Sequence, residues 1–404
     1  MSCRRFVWAA VAAGFCGCSD TPPEAGPADA GVDARLAPAI GTGDHSPASV
    51  TFTKLADDDD DVQEPRDLDF NPRVEGELWV VNFEDDSVVI IHDATGDDPE
   101  PEYKKDWYGY FTGEPASHFM AEPTAIAFGA DETTFGTPGT FATCGESRNT
   151  YDDFAPPNDF MGAALWSSDL DVFANRPNLV LGSHLDMLHC GPLCMGLSHQ
   201  EDNEYWAFTG RARDPESPFN QNAFLQEAAI VHYNFNEDDG IGNDNHSDGE
   251  AYQYVTGEVD YVSGVPSHLV YDEKTELLYI ADTGNSRIAA LDTDSGDADV
   301  QLVPHEPMFD YRVMDDAEIT DVVPDGGVLD QPSGLALWNG HLYVSDHATG
   351  VIHAFDLEGT RVNYLDTGRG KDALAGIVMG PDERLYFVDM SYDEVLRIDV
   401  PPTP

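Results

Sequence analysis

"LLYIADTGNSRIAALDTDSG", residues 277–296, decides the fold. It runs Leu, Leu, Tyr, Ile, Ala, Asp, crosses a short polar gap, and enters a second apolar-alternating stretch. Alternation with a period of two is a strand signal. Asp282, Gly284 and Asn285 in the gap are turn formers, whose side chains or freedom at φ favour a tight reversal. The stretch therefore reads as a β-hairpin. Three further segments repeat it: "ELWVVNFEDDSVVIIHDATG" (77–96), "HLYVSDHATGVIHAFDLEG" (341–359) and "RLYFVDMSYDEVLRIDV" (384–400). A short strand, often opened by proline, precedes each hairpin: "EPRDLDF" (64–70), "VPSHLVYD" (265–272), "QPSGLALW" (331–338) and "LAGIVMG" (374–380). Weaker copies fill the middle, with "EPTAIAF" (122–128) before "TFATCGESRNTY" (140–151) and "CMGLSH" (194–199) before "EYWAFTGRARD" (204–214). Six strand-only units of this length predict a propeller.

The final unit has only three strands. "ASVTFTKLA" (48–56) alternates and has no hairpin partner nearby, so it is expected to supply the missing outer strand. Such a closure removes an open sheet edge and ties the two ends of the ring together.

The segments "QPSGLALWNGHLYVSDHATGVIHAFDLEG" and "VPSHLVYDEKTELLYIADTGNSRIAALD" resemble NHL repeats, whose pattern is roughly Pro-x-Gly-apolar, Leu-Tyr-Val-x-Asp, then Asn-x-Arg-Ile. The second follows that pattern closely through Asp282, Gly284, Asn285, Arg287 and Ile288. The resemblance covers roughly residues 50–400 and implies an all-β, six-bladed β-propeller. That fold carries enzymes and binding modules alike, so function has to be argued from a site.

The amino-terminal end reads as an export signal. Arg4 and Arg5 precede an apolar run over 6–15, too short to span a bilayer. "FCGC" resembles a bacterial lipobox, which implies cleavage at Gly17-Cys18 and lipidation of Cys18; Phe15 and Cys16 depart from its usual residues. Residues 19–48 are rich in Pro, Ala, Gly and Asp without hydrophobic periodicity, as expected of a disordered tether. The expected organisation is thus a signal over 1–18, a tether over 19–48 and a propeller over 49–401. The expected product is a monomeric cell-envelope lipoprotein on the outer membrane or facing the periplasm, otherwise secreted, touching the membrane only through its anchor.

The formal net charge is −56, from 76 acidic and 20 basic residues. Such a surface repels phosphate backbones and excludes nucleic acid as a partner. A small molecule, a peptide or a protein remains as ligand. Export permits disulfides. Cys190 and Cys194 in "CGPLC" are spaced to close a small loop that leaves Cys144 odd, and all three pairings of these cysteines stay open.

Two stretches concentrate metal-binding side chains. "SHLDMLHCGPLCMGLSH" (183–199) contains His184, Asp186 and His189, and reads as a loop, not a helix, feeding the third inner strand. His268 stands where the fifth unit has Gly334, placing an imidazole at the channel mouth. These four residues are expected to share one site between the third and fourth blades, holding a divalent metal. "NEDDGIGNDNHSDGE" (236–250) offers Asp238, Asp239, Asp244, His246 and Asp248 on a flexible insertion, a donor set suited to calcium. Arg148, Asp282, Asn285 and His347 fall on the loops of one rim and are candidates for ligand contact. No nucleophile elbow or phosphate-binding loop is present.

The reading that follows is a lipid-anchored binding module with a calcium or zinc site on one face. The alternative is a metal-dependent enzyme, hydrolase- or lactonase-like. A less close match is the amidating lyase acting on peptidyl-hydroxyglycine, a related propeller whose zinc is held by histidines. Here His268 is displaced by one residue from that family's Pro-His, and Gly334 and Ala375 leave two inner strands without a histidine. Channel carboxylates from several blades would favour the hydrolase, a histidine-only cluster the lyase, and an empty channel with a wide aromatic rim the binding module.

Overall fold

The computed structural model describes residues 37–401 apart from 107–117, 132–138, 149–156, 158, 176–180, 211–226, 244 and 305. The signal, Cys18 and the first part of the expected tether lie outside the described residues, as does Asp244. Among the described residues no helix is long and apolar enough to cross a membrane.

Six antiparallel sheets form the propeller. The first blade runs outward through Pro65–Phe70, Leu78–Asn82, Ser87–His92 and Glu100–Lys104. The second uses Pro123–Phe128, Thr140–Gly145, Ala164–Ser167 and the two-residue strand Asp186–Met187. The third uses Cys194–His199, Glu204–Thr209, Ala229–Asn234 and Glu250–Tyr254, the fourth Leu269–Asp272, Leu277–Asp282, Arg287–Asp292 and Ile319–Val323. The fifth is Pro332–Trp338, His341–Asp346, Val351–Asp356 and Arg361–Asp366. The sixth is Leu374–Met379, Leu385–Asp389 and Glu394–Asp399, and its outer strand is Thr51–Ala56, paired antiparallel with Glu394–Asp399. The ring closes as the alternation of residues 48–56 predicts.

Part of the segment read as a tether is packed on the propeller. Ala37 and Ile40 are buried against the fifth and sixth blades with Leu365, Leu374 and Leu396. The Asn363 carboxamide donates to the carbonyls of Ala37 and Gly41 at 3.2 and 2.6 Å. Residues 37–41 of the segment read as a tether over 19–48 are therefore structured. Its last hydrophobic residues, too few to show a period, find a preformed apolar face.

In the first, fourth and fifth blades the Asp or Asn that ends the hairpin's first strand is a latch. Asp282 accepts the Asp260 N–H at 2.8 Å, Asp346 the Asp330 N–H at 2.7 Å, and Asn82 the Gln63 N–H at 3.1 Å. In each case the donor lies in the loop entering that blade's own innermost strand, so the motif ties the loop to the hairpin.

One connection breaks the repeat. Between Arg287–Asp292 and Ile319–Val323 the fourth blade sends out a hairpin, Asp297–Gln301 with Asp310–Asp315. Asp310–Asp315 pairs in parallel with Glu250–Tyr254, giving the third blade six strands. The tip of this hairpin carries Glu306 back toward the second blade.

The disulfide joins Cys144 to Cys194, with their Cα atoms 5.6 Å apart, and corrects the expected Cys190–Cys194 loop. Between residues 187 and 194 the chain travels from the outer edge of the second blade to the innermost strand of the third. Cys190 therefore sits within that crossing and Cys194 at its end, on the inner strand. Cys144, on the second blade's next-to-inner strand, lies beside Cys194 instead, and Cys190 remains a buried thiol.

Candidate cation site at the edge of the second and third blades

The run 183–199 is extended, not helical, and does feed the third inner strand. Its metal-type side chains, however, do not reach the channel. Asp186 sits on the outermost strand of the second blade, paired with Leu165, because residues 186–187 complete that blade before the chain turns inward. The insertion of the third blade folds onto this edge. The Asp239 N–H donates to Leu185 O at 3.1 Å and the Gly242 N–H to His184 O at 2.8 Å. A short 3-10 turn, His246–Asp248, then brings His246 Nδ1 to 2.9 Å from Asp186 Oδ1. The two clusters read separately in the sequence thus become one.

Ligand atoms of Asp186, Asp239 and His246 lie within 4.8 Å of one another. Asp186 is fully buried and its Oδ2 has no hydrogen-bond partner among the described residues. Burial raises the Asp186 carboxyl above its ordinary range, only partly opposed by His246. Burial, with the Asp186 charge adding to it, pushes Asp239 up to about 7. Burial opposes charge on His246 as well, but its bond to Asp186 and the nearby charges of Glu306 and Asp239 outweigh that and hold it above its usual value. The cluster therefore retains protons that each group would ordinarily lose, and a divalent cation would take their place.

His184 lies in the same region but serves the core. Its ring stacks on Phe119 at 3.7 Å, Nδ1 bonds Leu181 O at 2.7 Å, and burial pushes it down to about 3. His189 Nδ1 stands 3.2 Å from Glu306 Oε1, and the His189 N–H donates to the same oxygen at 2.9 Å. Asp248 Oδ2 accepts the Glu237 N–H at 3.3 Å within the insertion. Glu306 escaped the sequence reading, and His118 reads there as an ordinary surface or packing residue. Glu306 arrives on the fourth blade's excursion, which breaks the repeat, and a lone histidine at 118 carries no local pattern.

His268 is corrected most clearly. It belongs to the propeller axis, not to the cluster of His189. Its Nδ1 is 3.4 Å from Asp67 Oδ1 and its Nε2 3.1 Å from Thr124 O. Asp67 sits on the innermost strand of the first blade and His268 directly precedes that of the fourth, opposite in a ring of six, and so they meet across the channel. The same position is Ala125, Gly196, Gly334 and Gly376 in the other blades. A Cβ on Gly196 would meet Ser267 O at 2.1 Å and one on Gly376 would meet Asp67 Cα at 2.7 Å, so these glycines make room for the pair. Burial pushes Asp67 up to about 8 and His268 down to about 4, which makes this a neutral carboxyl–imidazole pair and not an ion pair.

The pair plugs the channel midway. Above it, the loop 260–265 straps the upper mouth: Glu146 accepts from Ser263 Oγ at 2.6 Å and from the Gly264 N–H, while Arg66 donates to Gly264 O. Below it lies a cavity of about 250 Å³ lined by Leu68, Ile126, Leu197, Val270, Leu337, Trp338 and Val378, with Asp69. Asp67 and Asp69 both come from the first blade, and both accept backbone N–H groups of the second, from Ile126 and Phe128, each at 3.0 Å.

The rim candidates lie on the upper face but do not converge. Asp282 is buried and bonds Asn285 Nδ2 and Arg287 Nε at 3.0 and 2.7 Å. Arg148 pairs with Asp159 at 2.8 Å, and His347 Nδ1 bonds Leu374 O at 2.9 Å.

These features define a closed six-bladed β-propeller with a side-chain cluster on its outer edge and a plugged axis. No protein-family model matches the chain, and no curated protein matches it by sequence. Solved structures do share the architecture. Regucalcin from Agrobacterium tumefaciens, a calcium-binding protein, is similar with 12% identity and a TM-score of 0.50, over 87% of this chain and 94% of that one. Streptogramin B lyase is similar at 11% identity and a TM-score of 0.43, over 87% and 98%. An auxiliary nutrient-binding protein from Bacteroides thetaiotaomicron is similar at 12% identity and 0.45, over 83% and 68%. At such identities the likeness concerns the fold alone.

Proposed function

We propose that this chain is an exported, lipid-anchored, NHL-like propeller acting as a binding module, with a divalent cation held by Asp186, Asp239 and His246. One observation carries the reading: a fully buried carboxylate with an oxygen unpartnered among the described residues, in a group whose ligand atoms lie within 4.8 Å of one another. A buried carboxylate oxygen without a partner is costly, and a cation relieves that cost. Two carboxylates and an imidazole suit zinc or a similar ion, while the regucalcin of similar fold makes calcium the second ion to test. A cavity of about 340 Å³ beside Phe160, Asn245, His246, Ser247 and Pro307 gives ions and a small polar or peptide ligand access to His246. The axis supports binding over hydrolysis. Its carboxylates come from one blade and bond backbone, and its upper mouth is strapped.

The test is calorimetric titration of chelator-stripped full-length protein with Zn²⁺ and Ca²⁺, beside Asp239→Asn and His246→Ala. Saturable binding weakened tenfold or more in both variants is expected. Absence of binding to the parent protein, or equal affinity in all three, overturns the reading. The anchor is tested separately by mass spectrometry of the mature amino terminus: an acylated Cys18 is expected, and a soluble protein starting elsewhere overturns it.

A further inference from the structure

Beside the Asp186 cluster lies a second arrangement that the proposed cation does not use. His118 Nε2 and His189 Nε2 face each other at 3.4 Å, with their rings 5.5 Å apart between centroids and 11° from coplanar. Two nitrogens bound at Zn–N distances to one tetrahedral ion stand about 3.3–3.4 Å apart. The contact is long for an N–H···N hydrogen bond, and it matches that spacing.

The surroundings match as well. Glu306 Oε1 lies 3.2 Å from His189 Nδ1, on the far side of the ring from His118. The charge of a carboxylate there favours the proton on Nδ1 over Nε2, and places Glu306 where metal-binding histidines usually have an outer partner. Glu306 is itself fixed by the His189 N–H at 2.9 Å. The His189 ring lies flat on Phe160 at 3.7 Å and 6°, so its rotation is restricted. Both histidines are nearly buried, yet Phe160 and Glu306 also line the open cavity of about 340 Å³, which is an entry path. His246 lies close by, its ring 5.3 Å from that of His189, but its Nδ1 is taken by Asp186.

We infer that His118 and His189 form a second, nitrogen-donor half-site, oriented by Glu306, that takes a borderline transition-metal ion such as Zn²⁺ or Co²⁺ and leaves coordination positions to water or an incoming ligand. It is independent of the Asp186, Asp239 and His246 site and differs from it in selectivity. Imidazole donors without a first-rank carboxylate discriminate against calcium and magnesium.

Co²⁺ is the probe, because its visible d–d absorption reports nitrogen coordination directly. The full chain is stripped of metal and titrated, beside His118→Gln and Asp239→Asn. The parent is expected to bind two equivalents, and each variant one. The equivalent lost in His118→Gln should be the one insensitive to millimolar Ca²⁺. Near-ultraviolet circular dichroism checks that the variants are folded, and the parent's spectrum stands as evidence even if His118→Gln is not. A single equivalent lost in Asp239→Asn and kept in His118→Gln overturns this inference and leaves the proposed function standing. A single equivalent lost in His118→Gln and kept in Asp239→Asn does the reverse. One equivalent lost in both merges the groups into a single centre and overturns the separate site, as does a parent that binds no Co²⁺.

Discussion

Removing the segment that closes the ring is the perturbation whose cost follows most directly from the structure. Three truncations separate its parts, with removal of residues 1–36 as the reference. Removing residues 1–48 also strips Ile40 from its buried place and takes away both carbonyls that satisfy Asn363. Burial of one such side chain stabilises by about 1.5–3 kcal/mol, and an orphaned buried amide costs about 1–3. The second truncation should therefore lose roughly 3–6 kcal/mol. Removing residues 1–56 deletes the outer strand of the sixth blade. Five paired positions opposite Glu394–Asp399 go with it, as do buried Leu55 and the edge-to-face contact of Phe52 with Phe387 at 5.9 Å. Cross-strand pairs at about 0.2–1 kcal/mol each, with one buried leucine, amount to roughly 3–8 kcal/mol more. The total approaches the whole net stability of an ordinary domain, about 5–15 kcal/mol. Guanidinium unfolding followed by circular dichroism should show successive falls in midpoint, the last protein being barely folded or insoluble. Equal midpoints for the first and third truncations would refute the reasoning, because the ring would then close without the strand.

Other expectations follow from single contacts. The Cys144–Cys194 disulfide, spanning 50 residues, closes a loop for which chain entropy predicts about 4 kcal/mol, so the Cys144→Ser, Cys194→Ser double variant should melt well below the parent. Peptide mapping under non-reducing conditions should link those two cysteines, and a Cys190–Cys194 peptide would contradict the fold. Asp67 keeps its proton in the folded state up to about pH 8, whereas unfolded it releases it near the ordinary aspartate value. Its contribution is thus fully present below about pH 4 and lost as pH rises toward 8. The stability of the parent relative to Asp67→Asn should fall by several kcal/mol over that window, and a difference constant with pH would contradict the neutral axial pair. Cation binding at Asp186, Asp239 and His246 must displace retained protons, so affinity should drop as pH is lowered below about 7, the value to which Asp239 is raised. Calorimetry in buffers of different ionisation enthalpy should show proton release, and pH-independent binding without it would place the ion elsewhere.

The repeat made the propeller legible because it is written in local chemistry. The clearest hairpins announce themselves through alternation and an Asp or Asn turn, and in the first, fourth and fifth blades that same residue latches the loop ahead of its blade. The closing strand was legible because residues 51–56 alternate with no neighbour to pair with. The site was only half legible. His184, Asp186, His189, His246 and Asp248 were visible as metal-type residues, but their meeting depends on the insertion folding back onto the second blade's edge. That is a long-range event no spacing encodes. The direction of the 183–199 run misled the reading. A two-residue strand at 186–187 is too short to show a period, so its histidines were assigned to the rim of the next blade when they belong to the outer edge of the previous one. His268 was singled out because it breaks the glycine pattern. The break is real, but its partner is Asp67, on the opposite blade and two hundred residues away, and together they fill the axis. The disulfide stayed undecided for the same reason as the site: Cys144 meets Cys194 only because neighbouring blades pack together, whereas Cys190 lies within the crossing between them.

Crystals of full-length protein grown with Mn²⁺ or Zn²⁺, with diffraction data collected on both sides of the metal absorption edge, test the central claim most directly. The account predicts an anomalous difference peak bounded by the Asp186 and Asp239 carboxylates and the His246 ring, on the outer edge between the second and third blades. A peak on the axis beside Asp67 and His268, or none near the three residues at saturating metal, would contradict it.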